Sequence, residues 1–395
     1  YDEDSAFAAY AVRQTPDGGF LFTGTGAAPN AAAALFVAKT NEDGGLLWRH
    51  TYLPQEAVNG YSIDLTSDGG SIIAADYGSF NIWLVRLNAA GDMLWAHDYG
   101  GSPYDRIREV QQTPDGGFCV GASIWVPPVL ALQYYLIRTD ANGDTLWTRT
   151  YGGTDADWLN GLDQCQDGGY ILAGYSEPPF SDPNWDMYIV KTDSLGNMEW
   201  ERTIGDTLYQ QARSVEQQVD GSFIVCGETI TGDAELVYVL KLDSGGDTIW
   251  TRTYGSDGII VGYKARRTTD GGFIICGSRQ RSAVDRSRIY VIKTAPELAA
   301  EDRLTILPLN IELSQNYPNP FNSETSIRVT LTRRINVRLH VYDLQGREMV
   351  RLLDGNLTAG FYDLKFKANH LPSGVYFYTL ISGTAALSRF MLLLR

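Results

Sequence analysis

TPDGGFCVGASIWVPPVLALQYYLIRTDANGDTLWTRTYGG, residues 113–153, is the stretch whose reading decides the fold. Its aspartate turn recurs at Asp17, Asp68, Asp115, Asp167, Asp220 and Asp270, with steps by subtraction of 51, 47, 52, 53 and 50 residues. A tryptophan follows in five of the six units, at Trp48, Trp95, Trp147, Trp200 and Trp250. A period near 50 residues marks an array of supersecondary units that bury their faces only against one another.

Each unit divides into four runs. The first precedes the aspartate, as RIREVQQT does at 106–113, and the second follows it: FLFTG, SIIAA, FCVGA, YILAG, FIVCG and FIICG. These second runs are continuously apolar, so both of their faces should be covered. Between them, PDGG supplies proline and glycine for a tight hairpin. The third run ends on a basic residue: Lys39, Arg86, Arg138, Lys191, Lys241 or Lys293. In the fourth, strand alternation puts Trp147, Arg149 and Tyr151 on one face.

Four antiparallel strands per unit, the inner ones buried on both sides, predict an all-β chain with a six-bladed β-propeller over residues 1–294. Its blades fall near 1–53, 54–101, 102–153, 154–205, 206–256 and 257–294. The last unit lacks a tryptophan strand, so residues upstream of Tyr1 are expected to complete it. Both tight turns of a unit lie on one rim, and the variable loops share the other, which becomes the default binding face.

Charge narrows the partners. The chain carries −15 overall; residues 303–395 hold 11 basic against 6 acidic residues, leaving 21 against 41, or −20, on the rest. A polyanionic body repels nucleic acid and anionic lipid, and no run of 18 apolar residues could form a transmembrane helix. Cys226 and Cys276 occupy a slot filled elsewhere by Thr23, Ala74, Gly121 and Ala173, so they read as small buried residues. With Cys119 and Cys165 they form neither CxxC nor zinc spacing. The turns TDANGD (139–144) and LDSGGD (242–247) offer alternating oxygens of the kind calcium takes, without its bidentate glutamate; a hairpin requires Asp and Gly there in any case. No metal site or cofactor is therefore predicted, calcium being the one candidate ion.

No HExxH, GxSxG, GxxxxGK or dinucleotide-binding pattern occurs, and no catalytic residue is assigned. His50 and His97 stand where other units have Arg149, Arg202 and Arg252, a repeated cation against aromatic rings. Trp125, Trp158 and Trp185, with Phe180 and Tyr104, fall outside the repeat pattern beside the variable rim. They are the candidate ligand-binding residues, suited to stacking on sugars or anchoring a partner. An alternative is a glycan hydrolase or lyase using rim carboxylates such as Asp155, Asp157 or Asp182, for which a facing pair roughly 5 to 9.5 Å apart is needed. A second alternative is a structural surface protein.

Beyond a linker at 295–311 the repeat vanishes. Alternating runs in LSQNYPNPFNSETSIRVTL (313–331), VRLHVYDLQGREMVRLL (337–353), AGFYDLKF (359–366) and the segment from Leu371 to Arg395 read as hairpins of a small immunoglobulin-like sandwich over 312–395, which also holds His340 and His370. The motif Asn316, Tyr317, Pro318, Asn319, Pro320, Phe321, Asn322, the YDLQGR turn with Gly346, then Gly360, Gly374 and Arg389, closely resembles the type A C-terminal sorting domain of bacterial type IX secretion substrates. The family usually carries lysine where Arg389 stands. The resemblance implies passage through the periplasm, recognition by an outer-membrane translocon, and cleavage and surface attachment by a sortase. The expected protein is secreted or displayed at the cell surface and binds an extracellular glycan or protein through its propeller.

Overall fold

The computed structural model describes residues 6–27, 33–52, 58–78, 81–100, 105–127, 131–178, 185–205, 209–231, 234–255, 258–280, 287–294, 311–331, 334–343, 347–368, 371–382 and 385–394 of the 395-residue chain. Repeats one to four each form a four-stranded antiparallel sheet with strands in chain order. In repeat three these are Arg106–Gln112, Phe118–Val126, Ala131–Thr139 and Thr145–Tyr151. The four strands of repeat five join the three of repeat six (Ile259–Arg267, Phe273–Gln280 and Arg288–Lys293) through one parallel pair, Glu235 with Ile259. The chain is all-β, and its consecutive sheets stack in the manner of propeller blades.

Burial follows the expected layering. Third strands of repeats one, two and four are buried almost throughout, and that of repeat six is exposed or half-buried along its length. Fourth strands alternate between exposed and half-buried positions because only one face meets a neighbour. Each apolar core lies between two sheets: Ile171, Met187 and Ile189 of repeat four pack with Val215, Phe223 and Leu240 of repeat five. Repeats one with two, two with three, and three with four share cores of the same kind. No sheet has a core of its own, so the hydrophobic stabilisation belongs to the interfaces.

Two devices recur. The turn aspartate of every repeat pairs with the basic residue that ends the third strand, as in Lys39–Asp17 at 2.7 Å, Arg86–Asp68 at 2.6 Å and Lys191–Asp167 at 2.8 Å. Arg138–Asp115, Lys241–Asp220 and Lys293–Asp270 complete the set. The second device links neighbours. The fourth-strand tryptophan of one repeat lies on the D-x-x-G turn of the next, and a Cβ on Gly143 would stand 3.0 Å from the Trp95 ring, on Gly196 2.7 Å from Trp147. These glycines also hold φ of +87° and +77°, so glycine is needed there twice over. The tyrosine two residues beyond the cation fastens the same turn: Tyr151 donates its hydroxyl to the Gly196 carbonyl at 2.7 Å, and Tyr52 and Tyr99 do likewise to Gly91 and Gly143. His50 and His97 pack against Trp48 and Trp95, where Arg149, Arg202 and Arg252 lie over Trp147, Trp200 and Trp250.

One expectation needs correction. Cys119, Cys165 and Cys226 are buried, but Cys276 is exposed. Among the described residues no further sheet covers that face of repeat six, where Ile289 is 87% exposed. At the other end of the array Val12 is 56% exposed, although its counterparts Ile63, Val110 and Leu162 are buried. From Ala6 onward the chain pairs with the second strand of repeat one, Ala6 opposite Ala27, and residues 1–5 lie outside the described residues.

By compactness the chain divides into residues 1–265 with 277–290, and 266–276 with 291–395, the division passing through repeat six. The C-terminal part contains a three-stranded sheet, Ile311–Leu313 beside Glu324–Leu331 beside Gly360–Lys367. Its four-stranded sheet runs Glu348–Leu357, Ile335–Tyr342, Gly374–Ser382, Ala385–Leu393. Ile327, Val329, Val337, Leu339, Phe366 and Tyr378 share one core between them.

Candidate ligand site at the channel mouth

First strands of successive repeats touch, and those of distant repeats meet as well. Lys264 of repeat six donates to Glu109 of repeat three at 2.9 Å, and Arg13 of repeat one reaches Asp64 at 3.3 Å and Glu109 at 3.9 Å. The first strands therefore surround a common axis, and this charged cluster crosses it. Burial opposes ionisation of Glu109, but Lys264, Arg13 and the Leu162 N–H outweigh it and hold the carboxyl below its ordinary value.

One register irregularity shapes the wall above this floor. The first strands of repeats one to five each carry a bulge against their second strand, at Tyr10, Tyr61, Arg108, Asn160 and Arg213. Every one of these residues stands seven before its turn aspartate, the place that Tyr263 takes in repeat six. A bulged residue leaves the ladder and re-aims its side chain. The bulge also drives a backbone carbonyl onto the second strand: a Cβ on Gly174 would lie 1.9 Å from the Trp158 carbonyl oxygen, and one on Gly227 1.8 Å from that of Gln211. FLFTG, YILAG, FIVCG and FIICG end in glycine at this close approach, whereas repeats two and three, with the same bulge, hold Ala75 and Ala122 there.

Five of the six side chains make two contacting groups of the wall's lining. Tyr10 and Tyr61 rings lie 5.4 Å apart, the Arg108 guanidinium sits 5.8 Å from the Tyr61 centroid, and that of Arg213 6.0 Å from Tyr263. Bulged side chains also tie one repeat to the next, Arg108 Nε donating to the Leu159 carbonyl at 3.2 Å and Asn160 to that of Ala212 at 2.8 Å. Arg213 is neutralised by buried Glu228, whose oxygens accept from its Nε at 2.9 and 3.1 Å. Burial still pushes the Glu228 carboxyl up to about 7. Arg108 has no carboxylate partner among the described residues. Burial, then the nearby Arg106 and Arg213 against the opposing Tyr61, lowers its pKa.

Beside this lining stand two of the aromatics singled out from sequence. Trp158 stacks on Tyr175 at 6.2 Å, Tyr175 on Trp185 at 4.8 Å, and Trp185 leans on Tyr209 at 5.0 Å. Arg106 covers Trp158 at 5.2 Å, and the indole N–H donates to Glu177 at 3.2 Å. Trp125 lies opposite Leu132 in the hairpin of repeat three. Tyr104 and Phe180 lie outside the described residues, as does Asp182. Tyr10, Tyr61, Arg108, Asn160, Arg213 and Tyr263 were missed from sequence because they differ in type; their shared offset from the turn aspartate was the available signal.

Asp155 and Asp157 line a cleft of about 370 Å³ with Ser176, Tyr188 and Glu201. Burial lifts the Asp157 carboxyl to about 6 against the help of Ser176 and the Gly153 N–H, which reaches it at 3.1 Å. Tyr188 donates to Glu201 at 2.5 Å. Among the described residues no cluster of His, Cys, Asp or Glu is arranged to hold a metal. Asp140 spends its side chain on the N–H groups of Asn142 and Asp144, both at 2.9 Å, and Asp243 does the same for Gly245 and Asp247.

In the C-terminal part the NYPNPFN motif is clasped to the last strand. Phe321 exchanges backbone hydrogen bonds with Leu392 and Leu394, Asn319 accepts from the Leu392 N–H at 2.8 Å, and the Tyr378 hydroxyl accepts from the Asn316 N–H and donates to the Ser314 carbonyl. The Tyr317–Pro318 and Asn319–Pro320 bonds are cis. Asn316 and Phe321 are buried, while Tyr317 is 82% exposed. Gly360 and Gly374 each begin a strand, Arg389 pairs with Tyr378 in the last hairpin, and Gly346 lies outside the described residues. Residues 315–393 match the family model described as a secretion system C-terminal sorting domain. This segment is a secretion-system sorting domain. The sorting domain places the chain among exported proteins, destined for the cell surface or beyond.

No curated protein matches the chain. Among solved structures it is similar to the acylaminoacyl peptidase of Pyrococcus horikoshii (10% identity, TM-score 0.34, 82% of this chain and 58% of that one). It is similar also to Sqt1 from Chaetomium thermophilum (10%, 0.42, 98% and 96%) and to an endo-arabinase from Bacteroides thetaiotaomicron (11%, 0.38, 74% and 94%). The chain spans little more than half the length of the peptidase, and none of these likenesses carries an argument about its activity.

Proposed function

We propose that residues 1–294 are a six-bladed propeller, joined through 295–311 to an immunoglobulin-like sandwich at 312–395, and that the protein binds an extracellular glycan or protein at the channel mouth. The translocon and sortase of the type IX system act on the tail. The observation that carries the binding reading is the bulge position: five repeats displace one first-strand side chain each at the same offset from the turn aspartate, and Tyr263 holds that place in the sixth. The test is a glycan and protein array probed with the full chain, then with Trp158→Ala, Trp185→Ala and Tyr263→Ala. Retention of a ligand that these variants weaken supports the reading, and retention indifferent to all three defeats it.

A second reading rests on the cleft of repeat four, where a carboxyl lifted to about 6 shares a wall with Glu201. An acid in that range suits glycan cleavage by proton transfer. Release of reducing ends from the arrayed glycans, abolished in Glu201→Gln, would establish it; no release from any of them would end it.

A further inference from the structure

We propose that the channel mouth takes a carboxylate-bearing sugar, a uronic acid residue of an acidic glycan, with Arg108 as the partner of its carboxylate. The inference rests on the binding reading above and narrows it. Arg108 lies within electrostatic reach of two further guanidinium groups, Arg106 and Arg213, on a body whose first 302 residues carry −20. Like charges gathered against the field of the whole molecule cost free energy unless an anion joins them. Arg213 has its anion in Glu228, and Arg106 lies over Trp158. Arg108 is held in place by the Leu159 carbonyl and the Tyr61 ring and has no carboxylate among the described residues. Asp76, whose ionisation Arg108 and Arg106 favour against its burial, gives its oxygens to Asn59 at 3.0 Å and to Tyr61 and makes no ion pair with Arg108 among the described residues.

A guanidinium with free N–H groups matches a planar carboxylate in two-point fashion. The surroundings select a sugar over an acidic peptide. Tyr10 lies against Tyr61 and Tyr263 against Arg213, and the two are 52% and 51% exposed, giving the C–H face of a pyranose rings to stack on.

The experiment is calorimetric titration of the full chain with galacturonate and glucuronate oligosaccharides, with neutral oligosaccharides of equal length, and with poly-glutamate. Binding of a uronate oligosaccharide, absent for its neutral analogue, is expected. Arg108→Gln should weaken it roughly 10- to 100-fold, the worth of a charge-assisted hydrogen-bonded pair. Arg108→Lys, which keeps the charge and the fold but loses two-point geometry, should recover only part. Equal binding of neutral sugars, or an unchanged affinity in both Arg108 variants, overturns the proposal while leaving a binding mouth intact. Poly-glutamate bound in preference to uronate overturns it in favour of a peptide. Failure of every ligand here and on the array defeats this proposal together with the binding reading.

Discussion

Asp157 shows how one side chain can work against the fold that holds it. Its carboxyl is 2% exposed and titrates near 6, above the ordinary 3.8, so the native state favours the protonated form. The sign follows from linkage: the folded protein is least burdened below 3.8 and loses stability as pH rises through about 6. Asp157→Asn, which retains an acceptor for the Gly153 N–H, should therefore melt close to wild type at pH 4. It should be more stable by on the order of 2 kcal/mol at pH 7. Melting curves at the two pH values check this, and a constant gap would refute it. The turn aspartates carry the opposite sign. Lys39 and Thr15 hold Asp17 at about 2, so its contribution is whole above 3.8 and fades as pH falls through about 2. From sequence, Asp157 was visible only as one of several rim acids. What distinguishes it is burial by residues far along the chain, which no local pattern encodes.

At the scale of the element, the clasp between a fourth strand and the next repeat's turn is what makes a row of sheets an array. Trp147 lies on Gly196 and edge-on to Tyr170 at 6.0 Å, and its repeat's Tyr151 seals the same turn. Trp147 is half-buried, so Trp147→Ala should cost about 3 kcal/mol, the low end for an aromatic deleted from a core. Denaturant unfolding measures the loss, and a change below about 0.5 kcal/mol would show that the clasp is ornamental. The strands themselves were legible because the turn chemistry and apolar runs agree at every repeat. The partner of the tryptophan was not, since W-x-R-x-Y reveals a shared face but not what that face touches. The bulge was hidden for a related reason: Tyr10, Arg108 and Asn160 share a backbone position and nothing in their chemistry, so a motif search by residue type passes over them.

For the whole molecule, the body and the tail answer to different demands. The repeats use six Asp–basic pairs and interface cores to hold a rim in place, while the tail buries Asn316 and Phe321 against its last strand and displays Tyr317. Deleting residues 312–395 in a native host should leave the remaining chain in the periplasm, measured by cell fractionation; unimpaired surface delivery would sink the type IX assignment. The tail was readable in advance because its motifs are short, ordered and close to the terminus. The ligand of the body was not, because it depends on side chains assembled from six separate places in the chain.

The bulge ring has a consequence for how such a protein can change. A residue outside the ladder lies apart from the interface cores, so at Tyr10 and Tyr263 a replacement leaves those cores and the hairpin turns as they were, whereas at Arg108 and Asn160 it also removes a hydrogen bond to the next repeat. On the proposed binding reading, part of the ligand preference is thus written at positions of the fifty-residue unit that do not hold the fold. A lineage could retune what it captures one substitution at a time, without first accumulating spare stability to survive the attempt.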